Sequence, residues 1–131
     1  MARVVGVGGV MFKSADPSAV AGWYRRVLGV EMGPWGAFFP ASGPASLPGA
    51  GTAYSAQPSS ADTFAQGVGD FVINLLVDDL DTLLEQAARA GVQPLSRSEA
   101  PYGRFARLCD PEGRVIELWQ PVAQAEPGGA G

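Results

Sequence analysis

Glu117 has the clearest chemical potential in this chain, because it sets a carboxylate in the otherwise apolar run Val115-Ile116-Glu117-Leu118-Trp119. Side chains alternate faces along a strand, so Val115, Glu117 and Trp119 share one side, and Ile116 and Leu118 the other. A carboxylate so placed can act as an acid, a base or a hydrogen-bond anchor; as a purely structural group it would bond to backbone or to Arg107. Arg107 lies three residues before Asp110 and shares its strand face with Phe105. Asn74 interrupts a second apolar run, Phe71 to Val77, where a polar group needs a partner, either ligand or backbone. Tyr54, Met11, Trp35, Phe39 and Trp119 offer aromatic and soft apolar surface, suited to the wall of a flat-ligand site or to ordinary packing.

Several other chemistries are excluded by composition. The 131 residues include no histidine, so neither one chain nor a homodimer can build a two-His-one-carboxylate iron centre or a His-rich zinc or nickel site. No metal and no cofactor are expected. Cys109 is the only cysteine, which forbids an intramolecular disulfide, and no neighbouring histidine or basic cluster activates its thiol. Gly6-Val7-Gly8-Gly9 lacks the third glycine of a dinucleotide fingerprint, and a strand continues where that motif needs a helix. The charge is −4, from 9 basic and 13 acidic residues with no basic run, which argues against nucleic acid or an anionic membrane and for a small ligand. A lone cysteine fits a reducing, cytoplasmic setting. Arg3 and the apolar run Val4 to Phe12 mimic a secretory signal, but cleavage near Ala21 would remove a strand and half a helix.

The elements that must position these residues occur twice. Asp16-Pro17 reads as helix cap and first turn, followed by Val20, Trp23, Tyr24, Val27 and Leu28 at the spacing of one buried face, with Gly29 as the stop. Asp78-Asp79 opens a second helix, in which Leu80, Leu83, Leu84, Ala87 and Ala88 repeat the pattern before Gly91. A strand-like run precedes each helix, over 4–13 and 70–77. Further short strands are expected over 35–40, within 41–51 and over 51–57 in the first half, and over 93–98, 103–109 and 114–120 in the second. Gly51 to Pro58 lies without gaps on Arg114 to Pro121, sharing Gln-Pro, which favours duplication. Asp110-Pro111-Glu112-Gly113 is turn chemistry that folds the last two strands into a hairpin.

Three strings, in order, resemble the glyoxalase/bleomycin-resistance/dioxygenase (vicinal oxygen chelate) superfamily over about residues 5–121. They are Trp23-Tyr24-Arg25-Arg26-Val27-Leu28-Gly29, Val77-Asp78-Asp79-Leu80-Asp81 and Asp110-Pro111-Glu112-Gly113-Arg114-Val115-Ile116-Glu117-Leu118. The resemblance implies an α+β fold of two tandem βαβββ modules forming a curved mixed sheet around a cavity into which Glu117 points. The metal-ligand positions it implies are held here by Gly9, Val72 and Tyr54, with only Glu117 kept.

The expectation is a single domain over 1–121, with module one at about 4–58, a linker at 59–69, module two at about 70–121 and a flexible tail at 122–131. Its function is read as metal-independent binding of a small aromatic or amphipathic molecule by a homodimer of the bleomycin-resistance type. Glu117, Arg107, Asn74, Phe105, Tyr54, Met11, Trp35, Phe39 and Trp119 are the candidate ligand contacts. Two alternatives stay open: a metal-free isomerase or lyase using Glu117, and a dimerisation or regulatory module.

Overall fold

A computed structural model describes residues 9–34, 36–40, 42–43 and 46–123. The order of elements is α1 (Pro17–Leu28), a 3-10 turn (Asp62–Phe64), β1 (Ile73–Leu76), α2 (Leu80–Arg89), β2 (Ser96–Ala100), β3 (Gly103–Cys109) and β4 (Val115–Pro121). Both helices start as the sequence suggests. Asp16 accepts from the Ala19 amide and Asp79 from the Thr82 amide, satisfying N–H groups that the first turn leaves without partners. α1 ends at Gly29, whose left-handed φ of 67° turns the chain out of the helix. α2 ends slightly before its expected glycine, with Ala90 as the cap.

The four strands form one mixed sheet in the order β1-β4-β3-β2, with β1 parallel to β4 and the other pairs antiparallel. Alternation then sorts the side chains. Ile116, Leu118, Ala106 and Leu108 face the helices and join Val20, Trp23, Tyr24, Val27, Leu28, Leu80, Leu84 and Ala87 in one core. Burying each of the larger aliphatic side chains contributes about 1.5–3 kcal/mol, so this helix-covered face holds the sheet in place. The opposite face carries Asn74, Glu117, Arg107, Phe105 and Trp119, and no helix among the described residues covers it.

The second half therefore folds as a βαβββ unit, whereas the described residues of the first half contribute α1 and little else that is regular. Residues 9–13, 36–40 and 51–57 are not paired into strands, apart from one antiparallel bridge between Gly33 and Gly36. Residues 4–8 and Trp35 lie outside the described residues, as do 124–131 of the expected tail. The internal alignment supplies a physical reason for the difference. Where β4 buries Ile116 and Leu118, the first half places Ala53 and Ser55, which have too little apolar area to hold a strand against a core.

Candidate functional site

β4 presents Glu117 between two neighbours that its sheet position dictates: Asn74 on β1 and Arg107 on β3 are its cross-strand partners. Asn74 Nδ2 donates to Glu117 Oε1 at 2.9 Å, and Arg107 Nε donates to Glu117 Oε2 at 3.1 Å. The two carboxylate oxygens are thus each engaged. The ion pair is mostly buried, with side-chain exposures of 19% for Arg107 and 23% for Glu117. A partly dehydrated, charge-assisted contact of this kind is stronger than a surface pair. Arg107 has a second acceptor, donating from Nη1 to the Thr63 carbonyl at 3.2 Å.

Beside this polar row lies an aromatic shelf. Phe105 and Trp119 are cross-strand partners whose rings are parallel within 2° at a centroid distance of 6.2 Å, and Tyr102 meets Phe105 edge-on at 5.7 Å. Trp119 Nε1 donates to the Tyr102 carbonyl at 3.1 Å, which fixes the indole. Gly103 makes this approach possible, since a Cβ there would lie 2.4 Å from Trp119 Nε1. A separate groove of about 160 Å³ lies where β2 and β3 meet the start of α2, lined by Leu80, Arg97, Ser98, Glu99, Arg104 and Phe105. At the start of α2, Asp81 pairs with Arg104 and Arg97, and chiefly the hydrogen bond from Arg104 holds its carboxyl below the usual carboxylate range.

Five of the nine candidate contacts, Glu117, Arg107, Asn74, Phe105 and Trp119, are brought onto one face. Met11, Phe39 and Tyr54 are not gathered with them. They are 93%, 62% and 91% exposed, and among the described residues no hydrogen bond or ring contact links them to the shelf. Trp35 lies outside the described residues. Sequence reasoning overlooked the Thr63 carbonyl, because a backbone acceptor in a linker has no residue signature. It also overlooked Glu112, which reaches α1 by accepting from Ser14 Oγ and from the amides of Ala15 and Asp16.

The metal centre that the resemblance implies does not fit these residues. Its donor positions are glycine, valine and tyrosine at 9, 72 and 54, which leaves Glu117 as a single carboxylate ligand, and it already accepts from Asn74 and from the Arg107 guanidinium. What the arrangement can do is hold a flat apolar group against Phe105 and Trp119 while Asn74, Glu117 and Arg107 meet its polar edge. No helix among the described residues is long and apolar enough to cross a membrane.

Comparison with known proteins agrees with this architecture. TnmS3, an antibiotic binding protein from Streptomyces sp. CB03234, is similar at a TM-score of 0.54 and 21% identity, covering 93% of this chain and 100% of that one. A protein from the mobile metagenome of V. pseudocholerae is similar at 0.56 and 17%, covering 92% and 97%. At these identities the likeness is one of fold. No protein of curated function matches the chain. Residues 9–119 match the glyoxalase-like domain, and the chain belongs to that family and so to the glyoxalase/bleomycin-resistance/dioxygenase superfamily.

Proposed function

We propose that this protein binds a small aromatic or amphipathic molecule on the open face of its sheet, without a metal and without a chemical step. The observation that carries the reading is the pairing of Glu117 with Arg107 and Asn74 beside the parallel rings of Phe105 and Trp119. A general acid or base needs a carboxyl free to exchange its proton with a substrate. Glu117 is instead held between two donors, which suits an anchor for a ligand carrying a hydrogen-bond donor or a positive charge. A protein of the same fold, TnmS3, is an antibiotic binding protein, and that supports binding over turnover.

Proflavine, a flat cationic aromatic, is a suitable probe, followed by quenching of tryptophan fluorescence. It is expected to bind the wild-type protein and to lose about tenfold or more in affinity in Glu117→Gln, which keeps the shape and removes the charge, a loss equivalent to about 1.4 kcal/mol. Equal affinity in both proteins would make Glu117 structural. Chemical conversion of a bound compound by the wild type, with tight binding and no conversion in Glu117→Gln, would instead establish a catalytic carboxyl.

A further inference from the structure

We propose that residues 61–69 form a hinged strap over one end of the open sheet face, and that Arg107 is its latch. Residues 63–68 run from Arg107 on β3 to the β3–β4 turn and touch the sheet at three places. Arg107 Nη1 donates to the Thr63 carbonyl at 3.2 Å, and the Val68 amide donates to the Gly113 carbonyl at 3.1 Å. Between them Gly67 lies flat on Val115, so close that a Cβ would sit 2.7 Å from Val115 Cγ2 and 2.9 Å from its backbone nitrogen. Phe64, Val68 and Phe71 line the same contact with Val72 and Val115. This explains why Val115 is buried although it belongs to the face that no helix covers.

The attachment is slight for a segment that closes over a charged site. Asp62, Ala65, Gln66, Val68 and Gly69 are exposed, and the 3-10 turn Asp62–Phe64 buries no residue. Segments with so few buried contacts open on their own, without unfolding of the sheet beneath. Arg107 gives the strap its connection to the site, because the guanidinium that holds Thr63 also holds Glu117. A ligand that re-aims Arg107 therefore releases the strap, and release uncovers Val115. What opening admits rests on the ligand-binding reading above. The opening itself is measurable with no ligand.

Amide exchange at Val68, whose N–H bonds the Gly113 carbonyl, reports strap opening in the full chain. Arg107→Met removes the latch and keeps an apolar stem; Gly67→Val forces the strap away from Val115. Each is expected to speed that exchange on the order of tenfold, the effect of losing one charge-assisted bond or a close packing contact. Leu108 and Ile116 in the sheet should keep their wild-type exchange rates. Three results would overturn the proposal: a wild-type Val68 amide that exchanges as fast as in denatured chain, variants that leave the rate unchanged, or equal acceleration at Leu108 and Ile116, which reports global loosening. If Glu117→Gln leaves proflavine affinity unchanged while the strap variants behave as stated, the site assignment fails and the strap stands.

Discussion

The residues that matter chemically acquire their meaning from partners far away in sequence. Glu117 could be placed on a face with Trp119 by alternation alone, and Arg107 with Phe105, but whether the two strands aligned Glu117 with Arg107 depended on register, which the turn Asp110–Gly113 sets. Asn74 was legible as a polar residue needing a partner, and the partner is Glu117. Tyr24 carries no such hint. Its periodicity marks it as core, yet its hydroxyl is buried without a hydrogen-bond partner among the described residues, and burial first, then the charge of Asp110, pushes the phenol up to about 12 against the lowering effect of Arg114. The unfolded chain would ionise this phenol first, so the folded state keeps its full stability below about pH 10 and loses it as pH rises to about 12. Ultraviolet titration should show one of the three tyrosines ionising late. Tyr24→Phe should raise stability by up to about 1 kcal/mol in urea unfolding and remove that alkaline loss. A marked destabilisation would mean that the hydroxyl has a partner.

At the scale of elements, the β3–β4 turn does more than reverse the chain. Its Glu112 accepts from Ser14 Oγ at 3.0 Å and from the Ala15 and Asp16 amides at 3.1 and 3.2 Å, tying the entry of α1 to the hairpin, and Arg114 from the same turn also bonds the Lys13 carbonyl. The Asp-Pro-Glu-Gly string announced a turn; it gave no sign of a contact spanning most of the chain, because local propensity carries no information about distant partners. The hydrogen bond from Arg114, with those from Ser14 and Asp16, holds the Glu112 carboxyl below its usual range. With the folded value lowered, the clasp contributes at neutral pH, and its contribution falls away as acidification passes below the ordinary carboxylate range. Amide exchange at Ala15 and Asp16 should accelerate as pH drops toward about 3, beyond the intrinsic pH effect, while Leu108 stays protected. In Glu112→Gln the two amides should already exchange faster at neutral pH, with the excess acid response gone. An unchanged acid response would show that another group clasps the helix.

For the whole molecule, the fold class and the order of the second-half elements were legible because each apolar stripe finds its match in the core. Over 51–57 the structure pairs no strand, since Ala53 and Ser55 offer too little apolar area to hold a register alone. This leaves a particular surface. β1 and β2 are the sheet edges among the described residues, and Val10, Met11, Phe38, Phe39 and Tyr54 are exposed. A strand edge with unpaired backbone groups and large apolar side chains in water is costly, and association is the common remedy. A homodimer in which these segments pack against a second copy would bury that surface and give the open face an additional wall. Sedimentation at micromolar concentration is expected to show twice the chain mass. The paired substitutions Phe39→Lys and Tyr54→Lys should shift the protein to monomer without unfolding α1 or the sheet, because both side chains are exposed in the single chain and their loss costs its core nothing. Proflavine affinity should fall in that monomer if the partner contributes to the site, and should persist if the face is complete within one chain. A wild-type protein that sediments as a monomer would refute the dimer and leave the shelf of Phe105, Trp119 and Tyr102 as the aromatic wall among the described residues.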